Sequence, residues 1–439
     1  MTTIVRFAPS PTGRIHIGNA RTAILNWLFA QKTGGQFILR YDDTDVVRST
    51  QEFADGIATD TNWLGIKPGR VEWQSKRFAR YDEVAEEMRA RGFLYPCYET
   101  ADELDRRRKR QQARGLPPIY DRAALKLSEE ELQTYLAQGR KPHWRFKLAH
   151  SPVEWNDLIR GPVHINSATL SDPVLIREDG TYLYTFTSVI DDVDFAVTHV
   201  IRGEDHVVNT AVQIEITRAM GGGVPTYAHH SLLTGADGKG LSKRLGSLSI
   251  AAMRDEGFES MAVVSHAALL GTSDNIHPCA NYSELVNGFD LSKLSRAPAR
   301  FDEAELKALN AKLLHMLPFA AVKDRLPESS EVFWLAVRGN LEKLSDAAVW
   351  HDVIHKDLVV GRAPGEGDFI ASARSLLPPE PWDGSTWKAW TEAIKSATGR
   401  KGKELYMPLR KALTGLDHGP ELAVLLPLIG RKRVLDRLS

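Results

Sequence analysis

The chain has 439 residues, with 56 basic against 56 acidic side chains and two cysteines. That length exceeds one ordinary core and predicts two to four domains, while the balanced charge means that any nucleic-acid partner would have to be met by local basic faces. Cys97 and Cys279 are too few and too far apart for a disulfide framework or a cysteine-rich zinc site, no apolar run reaches the roughly eighteen residues of a membrane helix, and the first residues lack signal-peptide architecture, so a cytoplasmic protein without a membrane partner is expected.

Taken in order, Ile4-Val5-Arg6-Phe7-Ala8 reads as a short buried strand. Pro9-Ser10-Pro11-Thr12-Gly13 stops regular structure. Ala20, Ala23, Ile24, Trp27 and Leu28 then fall at helical spacing, in a helix that ends near Gly34 as its C-cap. His16 and Gly18 stand where this helix begins. Free N–H groups and the positive dipole end attract phosphate there. Gly18 is expected to let a ligand approach the backbone, and His16 to donate to a phosphoryl oxygen. Taken alone, a His-x-Gly reads equally well as a loop histidine with no ligand.

A second strand, Phe37-Ile38-Leu39-Arg40-Tyr41, runs into Asp42-Asp43-Thr44-Asp45. Strand, helix and strand within about forty residues predict a parallel α/β unit with its ligands at the carboxyl ends of the strands. Arg6, His16 and Asp42 would then share one edge, where the simplest reading pairs Arg6 with Asp42. Ser49 followed by Glu52 resembles a capping box, opening a helix with Phe53, Ile57 and Leu64 inside.

From about Ser75 the texture changes. A charged helical stretch runs through Tyr81, Val84 and Met88 to Gly92, followed by Arg106-Arg107-Arg108-Lys109-Arg110. Such a run is a solvated helix face or a contact for a phosphate backbone. Short strand-like pieces follow at Trp144 to Leu148, Val163 to Ile165, Val174 to Ile176 and Tyr182 to Tyr184. Together they suggest an α+β domain inserted into the α/β unit. Ala196 to Ile201 is again a buried strand, leading into Arg202-Gly203-Glu204-Asp205-His206 and a helix through Val212, Ile216 and Met220. One more strand spans Tyr227 to Leu233, and a glycine-rich basic loop follows it. After about Asp255 the chain reads almost wholly as helix, with basic clusters at Arg400-Lys401-Gly402-Lys403 and Arg431-Lys432-Arg433.

Two distant stretches now stand together: Pro9-Ser10-Pro11-Thr12-Gly13 continuing to His16-Ile17-Gly18, and Gly240-Leu241-Ser242-Lys243-Arg244. The chain resembles a class I aminoacyl-tRNA synthetase, and more narrowly a bacterial glutamyl-tRNA synthetase. The resemblance extends through Arg40 to Asp45, Val200 to His206, Phe289-Asp290-Leu291, Met407-Pro408-Leu409-Arg410 and His418 to Leu422. It implies an α/β fold, a Rossmann-type parallel-sheet catalytic domain with an α+β insertion, followed by all-α stem-contact and anticodon-binding domains. The expected boundaries are 1–75 and 191–255 for the catalytic halves, 76–190 for the inserted domain that holds the tRNA acceptor end, 256–320 for the helical stem-contact region and 321–439 for the anticodon domain.

The resemblance also implies a two-step reaction. Glutamate attacks the α-phosphorus of ATP, and the glutamyl group then passes to the terminal adenosine of tRNA-Glu, with tRNA-Gln left open as a second acceptor. His16 and Lys243 match the catalytic positions. Thr12, His16, Gly18, Asn19, Asp205, Leu241, Ser242, Lys243 and Arg244 match ATP contacts. Arg6, Ala8, Ser10, Asp42, Tyr184, Ser188 and Arg202 match glutamate contacts, the arginines receiving carboxylate and Asp42 facing the ammonium. Magnesium would accompany ATP, and a monomer is expected. The chain departs from the family at Asn19, where histidine is common, at Gly240 in place of a lysine, at Asp42 in place of glutamate and at Ser188 in place of asparagine. Some members bind zinc through Cys-x-Cys in the insertion; Cys97-Tyr98-Glu99 supplies one thiol, so no zinc is expected. A truncated tRNA-modifying relative would lack the helical region beyond Asp255, and a dead paralogue tends to lose the residues present here as His16 and Lys243.

Overall fold

The computed structural model describes residues 2–235, 237–238, 241, 248–328, 330–358 and 365–439. They fall into two units: Met1–Asp255 with Val264–His277 and Asn281–Asp302, and Glu256–Val263 with Pro278–Ala280 and Glu303–Ser439.

In the first unit, β1 (Ile4–Phe7) runs parallel to β2 (Gln36–Tyr41), and β2 runs parallel to β3 (Arg70–Trp73). Val5 and Phe7 of β1 and Phe37, Ile38, Leu39 and Tyr41 of β2 are buried, which is why these two strands read as near-continuous apolar runs, whereas Val71 of the edge strand β3 is exposed. α1 (Ile17–Thr33) connects β1 to β2 and buries Ala23, Ile24 and Leu28. Its C-cap, Gly34, sits at φ 61°, a conformation that glycine adopts without steric cost. α2 (Gln51–Trp63) is capped by Thr50, whose hydroxyl accepts the Phe53 N–H at 3.2 Å. The cap therefore lies one residue beyond the expected Ser49.

Next come α3 (Phe78–Ala90), β4 (Leu94–Cys97), α4 (Ala101–Ala113), α5 (Glu129–Ala137), β5 (His143–Phe146), β6 (Pro152–Asp157), β7 (Gly161–Asn166) and β8 (Val174–Ile176). Strands β4, β5 and β8 form an antiparallel sheet, and β6 with β7 forms a hairpin. The hairpin's Val153, Trp155 and Ile165 pack with Ile38, Val200 and Tyr227 of the parallel strands and with Phe195.

The expected strand at Tyr182 to Tyr184 is not one. Tyr182 makes a single bridge to Ile176, and Tyr184 opens α6 (Tyr184–Asp194). Three residues are too few to show a period. The helical spacing of Phe186, Val189 and Ile190 decides the outcome, and these side chains join Tyr81, Met88 and Phe146 in one core.

β9 (His199–Gly203) pairs in parallel with β10 (Thr226–His230), and α7 (Val207–Ala219) connects them. Thr198 joins this pair to β1: its N–H reaches the Ile4 carbonyl at 2.9 Å, and its hydroxyl accepts the Ile4 N–H at 2.8 Å. β11 (Leu233–Gly235), α8 (Ile250–Asp255), α9 (Ser260–Leu269), α10 (Tyr282–Gly288) and β12 (Ala299–Phe301) follow. β12 pairs in parallel with β11, so the region read as almost wholly helical contributes a strand.

The second unit is built from α11 (Glu303–Met316), α12 (Glu331–Val337), α13 (Ala347–His355), α14 (Gly367–Ser375), α15 (Thr386–Thr398), α16 (Lys403–Thr414), α17 (Leu422–Ile429) and α18 (Arg431–Arg437). Trp334 and Trp390 are fully buried, and their indole N–H groups donate to the Leu317 and Ala373 carbonyls at 3.0 and 2.8 Å. Each brings large apolar area into the core without leaving its one polar atom unmatched. Among the described residues no helix is long and apolar enough to cross a membrane.

Candidate active site

A cleft of about 850 Å³ opens where β1, β9 and the start of α1 meet. Of the residues expected to act, Arg6, Ala8, Ser10, Thr12, His16, Gly18, Asn19, Tyr184, Arg202, Asp205 and Leu241 line it. The turn after β1 is folded tightly: Thr12 N–H reaches the Ser10 carbonyl at 2.8 Å, while Asp42 and Thr50 N–H groups donate to the Pro9 and Pro11 carbonyls. The prolines offer acceptors but no donors, so this turn can be satisfied from outside itself.

His16 is the N-cap of α1, and its Nδ1 accepts the Gly18 N–H at 3.0 Å. With Nδ1 accepting, the ring proton sits on Nε2. Burial lowers the pKa of His16 from its ordinary value, so the imidazole is neutral near pH 7 and offers an Nε2–H donor. A Cβ placed on Gly18 would lie 2.8 Å from His16 Cε1. Glycine thus makes room for the His16 ring, where the sequence suggested room for a ligand. Gly18→Ala should push the ring off its position and slow glutamate activation by about tenfold or more, since a misplaced preorganised donor loses much of its effect. Steady-state rates with unchanged circular dichroism test this; a wild-type rate would mean that the contact does not place His16.

The chain returning from the second motif lies beside the first. Ile17 N–H donates to the Leu248 carbonyl at 3.0 Å, Ile250 N–H donates to the Ile15 carbonyl at 2.9 Å, and His16 bridges Ser249. Leu241 lines the cleft. Lys239, Gly240, Ser242, Lys243 and Arg244 lie outside the described residues.

Two expected contacts stand behind the cleft rather than in its wall. Asp42 forms a buried fork with Arg40, Nε to Oδ1 at 2.6 Å and Nη2 to Oδ2 at 3.1 Å. Ser188 Oγ accepts from Arg40 Nη2 at 3.0 Å. The expected Arg6–Asp42 pair does not form, because Arg6 donates to Asp192 at 3.1 Å and Arg40 shares the same carboxylate at 2.8 Å. Burial disfavours the charge on Asp192, yet the two guanidiniums outweigh burial and hold its pKa below the ordinary range. Burial dominates at Asp42 and pushes its carboxyl up to about 6 despite Arg40. Charged groups this deep persist because each has a partner. Among the described residues Arg6 Nη1 has no hydrogen-bond partner.

Arg202, on β9, donates from Nε to His229 Nε2 at 3.2 Å and from Nη2 to Thr210 Oγ1 at 2.6 Å. Among the described residues its Nη1 has only the Tyr184 hydroxyl, at 3.4 Å. Thr22, His206 and His230 also line the cleft, and the sequence reading did not single them out. The signal available was a pair of histidines, His229 and His230, inside an otherwise apolar strand. Burial drives His230 down to about 3, so it too is neutral.

Away from the cleft, the ligand atoms of Cys97, Glu99 and His143 lie within 4.8 Å of one another. Burial pushes the Cys97 thiol up to about 12, and among the described residues the buried Glu99 Oε2 and His143 Nε2 have no hydrogen-bond partner. Glu99 Oε1 already accepts the Tyr120 hydroxyl at 2.7 Å, and Arg107 stands 3.9 Å from it. In the second unit, Trp387, Tyr406, Arg410 and Leu422 line a cavity of about 250 Å³. Arg410 Nη2 donates to the Pro420 carbonyl at 3.0 Å, and among the described residues its buried Nη1 has no partner.

A parallel sheet with a histidine-capped helix and two arginines at one carboxyl edge is an arrangement that α/β nucleotide-binding enzymes share. Residues 2–308 match the family described as tRNA synthetases class I (E and Q), catalytic domain, and residues 364–439 match the anticodon binding domain. The chain is 57% identical over 442 residues to glutamate–tRNA ligase 2 of Methylorubrum populi, covering 99% of this chain and 98% of that protein. It is 55% identical over 457 residues to glutamate–tRNA ligase 1 of Brucella ovis, covering all of both. The crystal structure of a glutamate tRNA ligase from Elizabethkingia meningosepticum in complex with its amino acid superposes with a TM-score of 0.85 at 28% identity, covering 100% of this chain and 98% of that one. The chain belongs to the glutamate–tRNA ligase family of class I tRNA synthetases. The class activates its amino acid with ATP.

Proposed function

We propose that this protein activates L-glutamate with ATP and transfers it to the terminal adenosine of tRNA-Glu. The observation that carries the reading is the single cleft, which joins two guanidiniums, one whose Nη1 has no partner among the described residues and one whose Nη1 meets only the Tyr184 hydroxyl among them, to a neutral histidine donor at a helix N-terminus. Glutamate has two carboxylates, and arginine's fork suits them. Arg6 and Arg202 receive these groups, with Ala8, Ser10 and Tyr184 closing around the substrate. Asp42 and Ser188 act from behind, by fixing Arg40 and with it the Asp192 carboxylate that holds Arg6. His16 donates from Nε2 to a phosphoryl oxygen of ATP. Thr12, Gly18, Asn19, Asp205 and Leu241 shape the nucleotide site, and Ser242, Lys243 and Arg244 meet its phosphates. Magnesium, held mainly by those phosphates, would add positive charge. In-line attack at phosphorus needs positioning and charge compensation rather than a covalent nucleophile. Charging of purified tRNA-Glu with labelled glutamate tests the reading, and folded protein that charges none contradicts it. tRNA-Gln belongs in the same assay as the second acceptor.

The stretch 76–190 is proposed to hold the acceptor end, 256–320 to contact the stem and 321–439 to meet the anticodon. The aromatic cavity with Arg410 supports the last assignment, because unpaired bases stack on aromatic faces and hydrogen-bond to guanidinium. In α4, Arg107 and Lys109 pair with Asp121 and Asp105. Among the described residues Arg106, Arg108 and Arg110 meet no carboxylate, which leaves them for phosphate. In the second unit Arg400 pairs with Glu366, and the buried Arg437 serves three backbone carbonyls, whereas Lys401, Lys403 and Lys432 are exposed. If these six free cations meet phosphates, tRNA affinity should fall by about 10³ between 50 and 200 mM salt. A flat salt dependence in filter binding would show that the clusters are solvated faces. The protein is proposed to work as a monomer without resident zinc. Metal analysis after purification without added metal should find well under one zinc per chain, and near-stoichiometric zinc would contradict this.

A further inference from the structure

Arg202 does not stand alone behind the cleft. Beneath it lies His229 on β10, fully buried, and beneath His229 lies Asp157, 2% exposed, at the end of β6. Asp157 Oδ2 meets His229 Nδ1 at 2.5 Å. Asp157 Oδ1 accepts three backbone N–H groups, from Ile159, Arg160 and His229, at 3.0, 3.0 and 3.1 Å. These bonds fix the carboxylate at the turn of the β6–β7 hairpin. We infer that Asp157 and His229 are positioning residues that lock the Arg202 guanidinium in the orientation that receives glutamate. The inference rests on the reading of Arg202 given above.

The proton positions follow from chemistry. Burial opposes the charge on Asp157, yet the bonds from His229 and the backbone outweigh burial and hold its pKa at about 2, so it is an acceptor only. Burial lowers the pKa of His229, so it is neutral near pH 7. Its single ring proton must therefore lie on Nδ1, facing Asp157. Nε2 is left as a lone pair, aimed at Arg202 Nε–H at 3.2 Å and at the Thr210 hydroxyl at 2.9 Å. Thr210 Oγ1 accepts Arg202 Nη2 at 2.6 Å. Two of the three nitrogens of the fork are thus occupied from below, and Nη1 alone faces the cleft beside Tyr184. The carboxylate acts on substrate only through the tautomer of His229.

Asp157→Asn tests this with little change of shape. The amide oxygen can keep the three backbone N–H groups, but its N–H now faces His229 Nδ1. That favours the tautomer with the proton on Nε2, which meets Arg202 Nε–H donor to donor. In glutamate-dependent pyrophosphate exchange, the glutamate KM should rise about tenfold or more, with the ATP KM nearly unchanged and thermal unfolding close to wild type. Nitrogen-15 NMR should show the His229 proton moved to Nε2. His229→Gln, whose carbonyl oxygen can accept from Arg202, should bind glutamate more tightly than Asp157→Asn. A wild-type glutamate KM in Asp157→Asn, equal rises in both KM values, an unmoved His229 proton or the reverse order of the two variants would overturn the inference. Arg202→Ala run alongside separates the two levels. If it leaves the glutamate KM unchanged, the reading of Arg202 itself fails and the inference falls with it; if it raises that KM while Asp157→Asn does not, only the positioning role fails.

Discussion

Arg202→Ala should raise the KM for glutamate by about 10- to 100-fold while moving the KM for ATP little, because a charge-assisted hydrogen bond contributes about 1.5–3 kcal/mol and each 1.4 kcal/mol is tenfold. The side chain is 5% exposed and two of its nitrogens are held from below, so little entropy is lost when Nη1 meets a carboxylate. Arg202→Lys should recover only part of the affinity, since an ammonium cannot serve His229, Thr210 and a carboxylate in the same fixed plane. Some loss of stability is expected in both variants, because His229 Nε2 and Thr210 lose a buried donor. KM values for both substrates, measured on protein shown to be folded at the assay temperature, decide the matter. Equal effects on glutamate and ATP would make Arg202 a structural residue.

Lys243→Ala should lower the rate of glutamate activation by about 10²-fold or more with a smaller change in the ATP KM, if its ammonium meets charge that develops as pyrophosphate leaves. Lys243 follows the cleft-lining Leu241 by two positions in the chain. Lys243→Arg keeps the charge but spreads it over a planar group, and should restore part of the rate. Lys239→Ala asks whether that lysine serves in place of the one absent at Gly240. Near wild-type activation in Lys243→Ala would make the second motif coincidental and remove one of the two supports of the proposed chemistry.

The parts of the site legible in the sequence are those whose meaning is local. Ile4 to Gly34 reads correctly as strand, turn, helix and glycine cap because apolar spacing, prolines and Gly34 act within a few residues of one another. Arg6, His16, Arg202 and Leu241 reach one cleft as the motifs imply. What stayed hidden depends on pairings across the chain. Arg6 finds Asp192 at a separation of 186 residues, Arg40 finds the same carboxylate across 152, and His229 finds Asp157 across 72. No local pattern announces such partners. Asp42, expected in front of the substrate, is instead held by Arg40, two residues away and buried with it. The start of α6 is hard to read because the short aromatic piece Tyr182-Leu183-Tyr184 is strand-like in composition and too short to show a period, and Asp191 and Asp192 lie further along that helix.

The most direct test of the account is glutamate-dependent exchange of pyrophosphate into ATP, measured with and without tRNA-Glu and with glutamine as the control amino acid. The account predicts exchange with glutamate in at least one of the two conditions, little with glutamine, and loss of exchange in His16→Ala, where the Nε2 donor is gone. Folded protein that exchanges with neither amino acid, or that does so equally well without His16, would contradict it.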